Sequence, residues 1–238
     1  MRKFSITRLI TVVFIFSIIL SCSRQAEEPP TPADSLAAPT QQAPDLAAWL
    51  SLDGSFEAHG DSIVARAYGS LGWTADRRDS AGCALRLRGG WAVLDSFPRP
   101  DSLASFTLTA WVDGSDGVIL ATEDYSLYCV HRRLAWGVPG SEDERVQARS
   151  PLLPGEWRFV AGVYDADTGS MRLFINGMLE AERYTPLRLE GGRGEATLGR
   201  GDMPGRLQPS SFTGRLDDIR LWRSAKSESE LQEMYTAP

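Results

Sequence analysis

Two kinds of residue in this 238-residue chain could do chemistry: its seven tryptophans and its scattered aspartates. An indole face can stack on a sugar ring or anchor a protein contact. Trp73 follows Gly69-Ser70-Leu71-Gly72, and Trp136 closes an apolar run beside Gly137 and Pro139. Both therefore sit at a loop or strand end, where a binding platform is useful. Tyr125 and Tyr128, close in sequence to His131 and Arg132, form a second polar and aromatic candidate. Catalytic patterns are missing. The chain has no Gly-x-Ser-x-Gly, and neither His59 nor His131 has a context that suggests proton transfer. Glu142-Asp143-Glu144 is the densest acidic run, but it lies in a polar stretch that reads as a solvated loop. No pair of cysteines has metal-ligand spacing.

The elements that must position these side chains read as strands. Short apolar or alternating runs recur, separated by Gly, Pro, Asp or Asn: Ala47–Leu52, Ile63–Tyr68, Cys83–Arg88, Trp91–Asp95, Ser105–Val112, Val118–Thr122, Tyr125–Val130 and Arg133–Val138. Glu156–Asp165, Ser170–Asn176, Met178–Arg183, Ala196–Gly199 and Phe212–Arg223 complete the series. Such a series predicts an all-β sandwich or barrel. In Ser105–Val112, Phe106, Leu108, Ala110 and Val112 share one face, with Thr107, Thr109 and Trp111 on the other. Both faces are partly apolar, as expected of a central strand between two layers. Asn176-Gly177 between two apolar runs predicts a type I′ hairpin. Ser227 and Glu230 have capping-box spacing ahead of Leu231, Met234 and Tyr235, which predicts one short C-terminal helix. With 42% hydrophobic and 24% charged residues the body of the chain is neither disordered nor a multispan membrane protein. Its formal charge of −6, without a basic block, makes a nucleic-acid partner a poor fit.

The N-terminus reads as an address. Arg2, Lys3 and Arg8 precede the apolar run Leu9–Leu20, which has the length of a signal-peptide core and is too short to span a bilayer. The run ends Leu20-Ser21-Cys22, which resembles the lipobox of bacterial lipoproteins. That resemblance implies a cleaved signal over residues 1–21 and an acylated Cys22 as membrane anchor. Ser23, where an Asp would argue for inner-membrane retention, points to the outer membrane of the cell envelope. Residues 22–44 carry Pro29, Pro30, Pro32, Pro39 and Pro44 among polar residues and read as an extended tether. Residues 45–238 then form one domain. In an oxidising compartment Cys83 and Cys129 could form a disulfide. Alternatively, each serves as a small buried hydrophobe.

The order of motifs resembles the laminin G-like jelly-roll domains of bacteria, relatives of the concanavalin A-like lectins and glucanases. The matching pieces begin with Trp49-Leu50-Ser51-Leu52-Asp53-Gly54, followed by Thr74-Ala75-Asp76-Arg77 with Ala84-Leu85-Arg86-Leu87, and then Phe106–Val112. Gly155–Asp165, Leu173–Gly177 and the closing Phe212–Trp222 follow in the same order. The resemblance implies a two-sheet antiparallel jelly roll and gives Trp49, Trp111, Trp157 and Trp222 structural roles. It leaves Trp73, Trp136, Tyr125 and Tyr128 as ligand-binding candidates. Related glucanases carry Glu-x-Asp-x-x-Glu on one strand; the chain has no such arrangement, so no catalytic residue is expected. Sandwiches of this broad class can hold Ca²⁺ at the rim, which makes Asp53, Asp217 and Asp218 candidate ligands. The function implied is noncatalytic binding of a carbohydrate or another extracellular ligand. A structural or adhesion module that contacts envelope proteins without affinity for glycans is the alternative, and a glycoside hydrolase the third.

Overall fold

The computed structural model describes residues 44–59, 63–101, 103–138, 141, 143–203 and 207–237. The signal segment, Cys22, the tether up to residue 43 and Glu142 lie outside the described residues. The first strands are β1 (Leu46–Leu50), β2 (Ala58–His59), β3 (Val64–Tyr68), β4 (Leu71–Thr74) and β5 (Ala84–Arg88). Next come β6 (Trp91–Asp101), β7 (Phe106–Gly114), β8 (Gly117–Ala121), β9 (Ser126–Val130), β10 (Arg133–Gly137), β11 (Arg145–Pro151) and β12 (Arg158–Asp165). The last are β13 (Ser170–Ile175), β14 (Met178–Tyr184), β15 (Glu190–Leu198), β16 (Arg200–Gly201), β17 (Ser210–Ser211), β18 (Thr213–Trp222) and the helix α1 (Glu228–Thr236).

These strands make two sheets, the jelly roll expected from the alternation. One sheet runs β14-β13-β12-β7-β18-β1-β2, with β5 beside the first half of β18 and β4 outside β5. The other runs β11-β10-β9-β8-β15-β6-β3. Neighbours are antiparallel except where β17 meets β8 at Ser211 and Val118. The sheets face each other across one apolar core that includes Leu85, Leu87, Phe106, Leu108, Val160, Leu216 and Ile219 from the first sheet. Leu94, Phe97, Ile119, Leu127 and Trp136 answer from the second. Each large apolar side chain moved out of water in this way contributes roughly 1.5–3 kcal/mol. The period-2 reading of β7 holds: all nine residues are buried, because its outer face is covered as well.

The helix supplies part of that cover. Ser227 accepts the Glu230 amide and Glu230 returns to the Ser227 amide, the reciprocal box the spacing predicts. Leu231, Met234 and Tyr235 then pack on Trp111, Phe159 and Phe174 on the outer face of the first sheet. The Asn176-Gly177 turn has both φ angles positive, at 52° and 76°, as a type I′ hairpin requires. Two strands depart from the sequence reading. Leu71–Thr74 is absent from the strands read from the sequence, which places Trp73 at a loop or strand end, yet it pairs with Ala84–Leu87 as an edge strand. Arg145–Pro151 was left in the polar stretch after the acidic run, yet it pairs with β10. The disulfide option between Cys83 and Cys129 is also corrected: Cys129 is a free, fully buried thiol among core residues. Burial holds that thiol well above its ordinary range.

Candidate functional site

The outer face of the β4/β5 corner carries the site. On β5, Leu85 and Leu87 point into the core, so Arg86 and Arg88 point out. On β4, Gly72 stands opposite Arg86 and Thr74 opposite Ala84. Ser70 stands beside Arg88, whose amide donates to the Ser70 carbonyl at 3.0 Å. Ser70, Gly72 and Thr74 therefore form a row of small residues facing a row that holds two arginines. A cleft of about 300 Å³ lies here, lined by Ser70, Leu71, Gly72, Trp73, Thr74, Arg86 and Arg88. Trp73 is 37% exposed, the most exposed of the seven tryptophans, but it stands opposite Leu85, so its ring lies on the inner side of the sheet edge, away from the two arginines. Its ring packs on Phe56 at 5.3 Å between centroids, which fixes it at the sheet edge.

The other sequence-predicted aromatics do not join it. Trp136, Tyr125 and Tyr128 are each 0% exposed, so none can offer a face to a ligand. Trp136 sits against Gly162 of β12, where no side chain competes for the space, and touches Phe106 and Tyr125 at 5.6 and 5.4 Å. Tyr125 lies in the same core, and burial raises its hydroxyl pKa above the ordinary value. Tyr128 packs with Val118, Ala121, Ala135 and Met203 in a small cluster of its own. These three assignments are corrected for one reason: packed neighbours cover each ring, and Trp136 lies within a core strand.

Three of the tryptophans assigned structural roles are instead capped by arginines on the outer face of the first sheet. Arg220 lies over Trp49 at 4.8 Å, Arg77 over Trp111 at 4.5 Å and Arg215 over Trp157 at 4.8 Å. Each guanidinium also pairs with an acid: Arg220 with Asp218, Arg77 with Asp217 at 3.1 Å and Arg215 with Asp113 at 2.6 Å. This lattice answers the calcium assignment. A bulge at Asp217–Arg220, with Asp218 at φ 52°, gives β18 two successive acids that both reach outer-face partners. Asp218 takes the Trp49 indole N–H at 2.6 Å and both arms of Arg220. Asp53 is exposed at the end of the first strand region. Among the described residues no group of three His, Cys, Asp or Glu side chains is placed to hold a metal ion. The acids meet cations and an indole, where Ca²⁺ needs six to eight converging oxygens. Burial, and then the nearby Asp218, push the Asp217 carboxyl up to about 7 against the pull of Arg77.

Arg86 and Arg88 differ from those three arginines: neither has an ion-pair partner among the described residues. Sequence reasoning missed them. The signal was present in Leu85-Arg86-Leu87-Arg88, whose alternation aims both cations at one face.

Comparison with known proteins fixes the ancestry of this scaffold. A family model described as the concanavalin A-like lectin/glucanases superfamily matches residues 89–232, more than half of the chain. The cleft residues 70–88 precede the matched stretch. The human pentraxin-related protein PTX3 is 27% identical over 152 residues, covering 57% of this chain and 40% of that protein. The chain thus spans well under half the length of that relative. Among solved structures, one of botulinum neurotoxin type C, whose cell entry depends on interaction with two ganglioside molecules, superposes with a TM-score of 0.60 at 11% identity, over 81% of this chain and 51% of that one. The binding domain of botulinum neurotoxin DC in complex with rat synaptotagmin II gives 0.59 at 11%, over the same shares. At such identities the likeness is one of fold.

Proposed function

Because the chain belongs to the concanavalin A-like lectin/glucanases superfamily, we propose that it is a noncatalytic binding module for carbohydrate. On this reading residues 1–21 are a cleaved signal, Cys22 carries the lipid that anchors the protein in the cell envelope, and residues 22–44 hold the domain of residues 45–238 off the membrane. The observation that carries the binding role is the β4/β5 cleft, where two outward arginines and the hydroxyl residues Ser70 and Thr74 meet around the open space beside Gly72. Sugar recognition needs a few placed donors for the ring hydroxyls, and these side chains supply them. The lining holds no carboxylate, so it offers no general acid for glycoside cleavage. The ganglioside interaction of a fold neighbour is consistent with a glycan ligand on such a scaffold.

Retention of the full-length chain on immobilised polysaccharides tests this. Wild type is expected to be held by at least one glycan, and Gly72→Leu, which fills the open space of the cleft, to lose at least about tenfold in affinity, near 1.4 kcal/mol. Unchanged retention in the variant would remove the cleft from the account. An adhesion module that binds envelope proteins is the second reading. It is favoured by the edge strand β14, which exposes Met178, Leu179 and Tyr184 at 60%, 45% and 69%.

A further inference from the structure

We infer that the β4/β5 cleft takes an acidic polysaccharide, one bearing carboxylate or sulfate groups; this rests on the carbohydrate-binding reading above and names its ligand class. The chain as a whole is acidic, with 31 Asp and Glu against 25 Lys and Arg. Elsewhere on this sheet face the acids are spent on the cations: Asp113 holds Arg215, Asp217 holds Arg77 and Asp218 holds Arg220. The cleft breaks that pattern. Arg86 stands directly opposite Arg215 on β18, a placement of like charges that costs stability unless something neutralises one of them. Asp113 neutralises Arg215, and nothing among the described residues neutralises Arg86. Arg88 follows two residues on, about 6.6 Å along the same strand face. Two unpaired guanidiniums side by side are a site for anionic oxygens, which they grip through charge-assisted, fork-shaped hydrogen bonds.

The opposite wall leaves room for the ligand. Gly72 faces Arg86, and a Cβ built on it would meet nothing within 4 Å, so the space beside that guanidinium is open. Ser70 and Thr74 flank the gap and can bond sugar hydroxyls. A nucleic acid is disfavoured by the negative charge of the chain and by the shortness of the basic patch, which has two arginines where a duplex needs a stripe.

Matched polymers separate the ligand class from the binding reading. The full-length chain is titrated with dextran and dextran sulfate, and with polygalacturonate and its methyl ester, at low and at high salt. The expected result is at least about tenfold tighter binding of the charged member of one pair. That preference should fall away in about 0.5 M NaCl, where screening is strong. Arg86→Gln/Arg88→Gln should abolish the preference, whereas Arg188→Gln, an exposed arginine outside the cleft, should keep it. Equal binding of charged and neutral members overturns the acidic class and leaves the carbohydrate reading standing. Binding to none of the four overturns both. A preference that survives Arg86→Gln/Arg88→Gln, or a DNA oligonucleotide bound as tightly as dextran sulfate, overturns the assignment to this cleft.

Discussion

At the scale of single residues, Asp217 carries the clearest consequence. Its carboxyl is buried beside Asp218, Asp53 and Asp76 and is pushed up to about 7, although Arg77 sits 3.1 Å away. The native state therefore keeps this proton over a range in which an unfolded aspartate, with a pKa near ~4, has lost it. As pH rises from about 4 to 7 the native state binds more protons than the unfolded state, so stability falls, by at most ~1.4 kcal/mol per pH unit, and levels off above. Urea unfolding across that range should show wild type losing stability relative to Asp217→Asn as pH rises, because Asp45 and Glu230, with lowered pKa values, act alike in both proteins. A variant with a slope identical to that of wild type would contradict the placement. Residue types in the sequence marked this acid but not its role, because a metal ligand and a buried partner of arginine look alike until the bulge at Asp217–Arg220 is seen. Trp73 and Trp136 were equally ambiguous in sequence. One lies on an edge strand and the other over Gly162 in the core, and only the pairing of β4 with β5 and of β12 with β7 separates them.

At the scale of elements, β12 and β10 are fitted to each other across the core. Val160, Gly162 and Tyr164 alternate inward on β12, and the gap left by Gly162 receives the Trp136 ring. A Cβ on Gly162 would lie 2.5 Å from Trp136 Cδ2, closer than any packing allows. Gly162→Ala should cost about 1–3 kcal/mol in chemical denaturation. The loss should shrink when Trp136 is first replaced by Leu. No loss in the single variant would mean that the ring is not seated there. Strands with clean alternation, such as β7 and β12, and the Asn176-Gly177 hairpin were legible because local chemistry and tertiary burial ask for the same pattern. The edge strand β4 was not, because only its pairing with β5 makes Gly69-Ser70-Leu71-Gly72-Trp73-Thr74 a strand. Since β4 forms one wall of the cleft, missing it also hid the two arginines of its partner.

At the scale of the whole molecule, two sheets close on one core and a short helix covers part of the outer face of the first. The order of motifs carried that architecture, since those motifs are mostly packing positions and turns. They do not encode the surface: the resemblance of Ala84-Leu85-Arg86-Leu87 to its family segment rests on the inward Leu85 and Leu87 and says nothing of the outward Arg86 and Arg88. On the outer face of the first sheet the tryptophans Trp49, Trp111 and Trp157 are closed by arginines held to acids, while the β4/β5 corner stays open. The most direct measurement is hydrogen exchange of the full-length chain with and without saturating dextran sulfate. Slower exchange concentrated in residues 70–74 and 84–88 is the predicted result, since ligand bound over β4 and β5 would suppress their local opening. Protection confined to another surface, such as β14 or the region around Asp53, with residues 70–88 unchanged while binding is measurable, would contradict the claim that this corner is the binding site.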